Sequence, residues 1–131
     1  MTNKQDIQSL DDLEGVTWGL PPVDATRLIA KVYELRRKPI GELTNDDIRI
    51  LVGQEVGLDI LLPLAVSRLN VNPLLSADLY PGDLLAAVLR VPRNYWTSKP
   101  ELAAQVDSIL ASIDEPATEI QDDISNFRGA V

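Results

Sequence analysis

The sequence predicts an all-α fold: a single compact helical domain of about six helices, two of them interior. Three observations carry that expectation. Apolar residues recur at helical spacing along most of the chain, and sustained strand-like alternation does not. Hydroxyl residues followed by acids, in "SLDD", "TNDD" and "SKPE", stand ahead of those apolar stretches as helix starts do. Prolines and glycines fall between the stretches, where helices stop.

Taken in order, Ser9-Leu10-Asp11-Asp12 reads as a capping box with Asp in the Glu place, opening a short helix that ends near Gly15. "WGLPPVD" then makes a turn. From Asp24 to Lys38, Leu28, Ile29, Val32 and Leu35 share one helical face, while Arg27, Lys31, Glu34 and Lys38 form a charged stripe. Glu34 and Lys38 stand in the favourable i,i+4 order, and Pro39 stops the helix. Thr44 is the next N-cap, with Asp46 and Asp47 near the positive end of the helix dipole and Ile48, Leu51 and Val52 facing inward. Leu58 to Leu69 is apolar around most of its circumference, an interior helix in which Pro63 lies near the first turn or introduces a kink.

Leu84 to Val91 is the second interior helix, with Ala86 and Ala87 small enough for close approach. Ser98-Lys99-Pro100-Glu101 has the form of a full capping box, and Leu102, Val106, Ile109, Leu110 and Ile113 repeat helically behind it. The helical domain is therefore expected over residues 1–113. An acidic tail over 114–131 follows, in which Ile120, Ile124 and Phe127 make a further helix or an arm that orders on a partner.

At 45% hydrophobic and 24% charged residues the chain has globular rather than disordered composition. It has neither Cys nor His, which removes the thiol and imidazole nucleophiles, the usual general base and thiolate or histidine metal sites. No catalytic residue, cofactor or metal is therefore assigned. The N-terminus lacks the apolar segment of a signal peptide. The longest apolar run, Ile60 to Val66, is far short of the ~20 residues a bilayer requires. A cytoplasmic protein is expected, with no membrane partner.

The net charge of −8 is concentrated at the ends. Residues 1–24 hold five acids against Lys4, and residues 101–131 hold seven against Arg128. Such a chain repels nucleic acid and attracts basic partners, although the charge also serves solubility. A helix-turn-helix over 24–52 fails because Asp46 and Asp47 would meet phosphate, and "RRK" at Arg36 to Lys38 suits a helix C-terminus.

Few residues stand out as candidate contacts. Asp78 and Asp83 flank the Tyr80-Pro81-Gly82 turn and can converge on a cation or basic side chain, or Asp83 can serve the start of the helix behind it. Trp18 and Tyr80 are either partly exposed anchors or plugs at the ends of the core, and Trp96 is read as core. Asp11, Asp12 and Glu14 of the first helix, and Asp114, Glu115, Glu119, Asp122 and Asp123 of the tail, are further acidic candidates.

Three segments together resemble a known family: "WGLPPVDATRLIAKVYELRRKPIGELTNDDIRILVGQ", "GLDILLPLAVSRLNVNPL" and "DLYPGDLLAAVLRVPRNYW" followed by "PEL". Their order and spacing, from about Trp18 to Leu110, are similar to those of the immunity proteins of bacterial contact-dependent growth inhibition (CDI) systems. The resemblance implies binding rather than catalysis. Such a protein binds the C-terminal toxin domain of a delivered effector in the cytoplasm and blocks its active site. Some relatives are encoded beside toxins with a ribonuclease-A-like fold, whose basic phosphate-binding surface an acidic protein can occupy.

On this reading the partner is a basic toxin domain in a 1:1 complex, and the free protein is a monomer with charged exposed faces. The motifs shared with the family belong to the scaffold. The toxin contacts expected are Asp11, Asp12, Glu14, Trp18, Asp78, Tyr80 and Asp83. The alternatives are a helical adaptor for another basic cytoplasmic partner and, more remotely, a carboxylate-dependent hydrolase.

Overall fold

A computed structural model describes residues 7–114 and 118–130. Eight α-helices follow one another among them: α1 (Leu10–Glu14), α2 (Arg27–Arg36), α3 (Asn45–Gly53), α4 (Leu58–Val71), α5 (Asp83–Leu89), α6 (Arg93–Thr97), α7 (Pro100–Ala111) and α8 (Thr118–Ala130). A 3-10 turn, Ile40–Glu42, joins α2 to α3. No strand occurs among the described residues; an isolated bridge pairs Ser76 with Pro81. The all-α reading holds, and the count exceeds about six because α6 and α8 add to it.

The helix starts follow local chemistry. At α1 the Ser9 hydroxyl accepts from Asp12 N at 3.2 Å while the Asp12 carboxylate accepts from Ser9 N at 3.0 Å. At α3 Thr44 and Asp47 exchange the same pair, both at 3.0 Å. Each box satisfies two backbone groups that a helix end otherwise leaves open. The Ser98 box does not form. Pro100, with no N–H and a preset φ, occupies the first position of α7, so the cap is Lys99 and Glu101 falls one place early. Ser98 instead closes α6, its hydroxyl donating to Tyr95 O at 2.7 Å.

The second helix also departs from expectation. Thr26, extended and accepting from Ile29 N at 3.2 Å, starts it at Arg27 rather than Asp24. Its buried face is Val32, Leu35 and Arg36, and Leu28 is exposed. The expected Glu34–Lys38 pair is replaced. Lys38 lies beyond the helix end and donates to Asp47 at 2.9 Å, while Glu34 pairs with Lys31 at 3.6 Å.

The core is built around α4 and α5. Leu61, Leu62, Ala65, Val66 and Leu69 of α4 are buried, with the in-helix Pro63 on the exposed side. In α5 every residue but Ala87 is buried. α5 lies against α3, α4 and α8, and α4 against α3 and α7. Two glycines are required where these elements meet. Gly57, at φ +66°, starts α4 so close to α1 that a Cβ would lie 2.9 Å from both Leu10 methyl carbons. Gly82, at φ +90°, starts α5 where a Cβ would press on Leu74 and Ile120 at 3.3–3.4 Å.

The tail forms the helical alternative. Ile120 and Phe127 of α8 are buried, and Arg90 at the end of α5 grips Asp123 with two bonds of 3.0 Å. Phe127 meets Trp96 edge-on at 5.3 Å between centroids, and Trp96 meets Tyr95 at 5.7 Å. Trp96 is core, as expected, although it sits on the short α6 rather than in a loop.

Candidate functional site

The candidate contacts fall into two groups, each organised by one buried charge. Arg36, the last residue of α2, organises the first. It is buried to 1% exposure, which makes an unpaired guanidinium untenable. Nε donates to Asp11 Oδ1 at 2.7 Å, and Nη1 meets Glu14 Oε1 at 2.5 Å. The plane of charge lies 4.3 Å from the centre of the Trp18 ring, a cation–π contact. Tyr33 stands edge-on to the same ring at 5.1 Å. Nη2 has no hydrogen-bond partner among the described residues.

Arg36 therefore clamps α1 and the segment after it onto α2. Sequence reasoning read this cation as a helix-end charge; the signal for more was its i,i+4 spacing from Val32 on the apolar face. Asp11 is consumed by the clamp and buried, and Asp12 closes the α1 cap while remaining exposed. Glu14 and Trp18 are partly used and partly open, with Trp18 at 40% exposure.

Asp83 organises the second group. It is the first residue of α5, and its carboxylate turns back into the preceding loop. Oδ1 accepts from Ala77 N at 2.7 Å, and Oδ2 accepts from Asp78 N at 3.0 Å and Leu79 N at 2.8 Å. Burial pushes the Asp83 pKa up, but the donors of Ala77, Leu79, Asp78 and Tyr80 outweigh it and hold the carboxyl below its ordinary value. Arg49 Nε is 4.0 Å away and is itself held by Asp46 at 2.8 Å. Asp83 lies at a helix start, as one reading has it; the groups it gathers at hydrogen-bond distance are the backbone N–H groups of Ala77, Asp78 and Leu79 rather than a basic side chain shared with Asp78. Asp78 and Leu79 are left exposed on the loop it shapes.

Tyr80 is half-buried beside a cleft of about 200 Å³, whose walls include Arg49, Glu55, Asp83 and Arg90. Glu55 has φ +57°, unusual for a residue with a Cβ, at the turn between α3 and α4. Among the tail acids, Asp123 is spent on Arg90 and Asp122 is exposed. Glu115 lies outside the described residues, as does the side chain of Glu119.

Several exposed apolar residues were missed by sequence reasoning: Val16, Leu20, Val23 and Leu28 on either side of Trp18 in the chain, and Leu79 next to Asp78. The turn reading of "WGLPPVD" was correct for the backbone and silent about which way its apolar side chains face.

Among the described residues no set of three or more Asp or Glu could hold a metal ion, and no helix is long and apolar enough to cross a membrane. Comparison with known proteins found no match among curated proteins or solved structures. A family model does match, over residues 12–106, and it describes CDI immunity proteins. The matched region takes in α1 from Asp12 through most of α7, which includes Arg36 with Glu14 and Trp18 of its clamp, though not Asp11, together with the Asp83 loop and both interior helices. The chain belongs to the CDI immunity proteins, the family that protects against contact-dependent growth inhibition toxins.

Proposed function

We propose that this protein neutralises its cognate toxin by binding the C-terminal toxin domain one to one in the cytoplasm and covering its active site, with no chemistry of its own. Family membership over residues 12–106 is the observation that carries this reading. The toxin is a nuclease, of the ribonuclease-A-like kind, with a basic face for phosphate. A net charge of −8, concentrated in residues 1–24 and 101–131, supports that choice, because an acidic surface competes for cations that otherwise meet phosphate.

The contact surface comprises the two groups above. Asp12, Glu14, Trp18, Asp78 and Tyr80 offer open atoms. Asp11 and Asp83 act as positioning residues, holding the clamp and the loop in one shape. Preorganisation of this kind lowers the ordering cost of binding.

Co-expression with the toxin domain encoded directly upstream tests the function. Survival of the cells and co-purification of a stoichiometric complex are expected. Cell death despite soluble immunity protein would refute it. An Asp78→Ala/Tyr80→Ala variant with undiminished affinity would remove the second group from the interface and leave the function standing.

A further inference from the structure

The segment between α1 and α2 exposes apolar surface that a folded chain ordinarily hides. Between Val16 and Leu28, Val16 and Leu28 are exposed, Trp18 is 40% exposed, Leu20 is 82% exposed, and Val23 is fully exposed. Single exposed apolar residues are common on protein surfaces; five within one short stretch are not.

The stretch is also held in shape. Gly15 turns the chain at φ +70°, and its N–H closes on α1. Trp18 is pinned between the Arg36 guanidinium and Tyr33. Pro21 and Pro22 restrict the middle, Ala25 N donates to Pro22 O at 3.0 Å, and Thr26 starts α2. The exposed side chains therefore project from a fixed strap rather than a slack loop.

Charge says what covers it. Asp12 and Glu14 stand exposed at one end of the strap, and Asp24 stands exposed near the other beside the exposed Arg27, so three acids against one base leave the rim net acidic. An apolar centre with a charged rim is the usual anatomy of a protein interface. A second copy would bring −8 against −8 and set like rims face to face. A partner with an apolar pocket edged by Lys and Arg fits instead.

We infer that the Val16–Leu28 strap is the primary toxin-docking surface, with Leu20 and Val23 entering an apolar pocket on the toxin domain while Asp12, Glu14 and Asp24 meet basic side chains around it. This rests on the immunity reading and adds to it. Leu20 and Val23 become the affinity anchors, and the Asp78–Tyr80 loop becomes secondary.

The test uses the full chain and the purified toxin domain encoded upstream. Leu20→Ser/Val23→Ser is compared with wild type by calorimetry, and Val71→Ser, exposed at the far end of α4, serves as the control. Loss of two buried apolar side chains is expected to weaken Kd about a hundredfold, roughly tenfold for each. The thermal midpoint should stay within about 2 °C of wild type, because neither side chain is packed in the free protein. Val71→Ser should leave Kd unchanged.

A Kd within threefold of wild type for the strap variant would overturn the inference while the immunity function stands, because wild type still binds. Equal weakening by Val71→Ser would overturn it as well, by showing no preference for the strap. A wild-type dimer that the strap variant dissociates, with toxin affinity intact, would give the strap to a second copy instead. Absence of wild-type binding would sink the immunity reading, and the strap with it.

Discussion

Replacing Asp83 should unfasten the loop from Ala77 to Pro81 and lower the stability of the whole domain. The residue is 3% exposed, and its two carboxylate oxygens take three backbone donors. In Asp83→Asn, the amide oxygen can replace Oδ2 and keep the bonds from Asp78 and Leu79. The NH2 group then faces the Ala77 N–H, donor against donor. One bond to a charged acceptor is lost, at a cost of about 1.5–3 kcal/mol.

Asp83→Ala leaves all three donors without the carboxylate. Because the loop is partly exposed, water relieves some of that loss, and about 3–5 kcal/mol is expected. Against a typical total of about 5–15 kcal/mol, the Ala variant approaches the threshold of folding and the Asn variant does not. Urea titration followed by tryptophan fluorescence measures both, with the buried Trp96 as reporter.

The pH dependence follows with a definite sign. The folded carboxyl titrates below its unfolded value of about 3.9, so its contribution is complete above that pH and fades as pH falls through the lower folded value. The wild-type urea midpoint should therefore drop more steeply than that of Asp83→Asn on acidification from pH 5 to about pH 2. A cost below about 1 kcal/mol for Asp83→Ala, or equal acid sensitivity of wild type and Asp83→Asn, would refute the claim that this carboxylate holds the loop.

Three further outcomes are expected. Gly57→Ala should cost about 1–3 kcal/mol in urea unfolding, because the left-handed backbone disfavours a Cβ and the added carbon meets Leu10 inside the core. Phe127→Ala should cost about 3–5 kcal/mol and alter Trp96 emission, since α8 fills the core against that ring. Thr44→Ala should cost about 1 kcal/mol by opening the α3 capping box, with the loss read from the thermal midpoint.

Much of the fold was legible because local chemistry and tertiary structure agree. Ser9 and Thr44 cap where their spacing says, and the two all-apolar stretches are the interior helices. Ser98 misled because its box competes with a proline two residues on, and a preset φ at the first helical position outranks a hydroxyl. Lys38 misled because a partner distant in sequence, Asp47, offered a better-fixed carboxylate than Glu34 on its own helix.

The candidate site was less legible, for a physical reason. Composition identifies an acid but not whether its oxygens are already taken. Asp11 and Asp83, chosen as open contacts, each satisfy a buried or backbone donor within the chain. Leu20 and Val23 lie in a stretch whose sequence marks a turn, and only the direction of their side chains marks them as surface. Trp18 was legible as partly exposed, but its seat on Arg36 depends on the end of α2 meeting a loop, which periodicity does not encode.

Neutralisation of the toxin should be stoichiometric and should involve no catalysis by this protein. Titrating the purified toxin domain with this protein, while following RNA cleavage, tests it in one experiment. Toxin activity should fall in proportion to added protein, reach zero at one equivalent, and return when the complex is dissociated in denaturant and the toxin refolded. Lasting loss of toxin activity at a small fraction of an equivalent would mean that the protein acts on the toxin as an enzyme, and undiminished cleavage at excess would mean that this toxin is not its target.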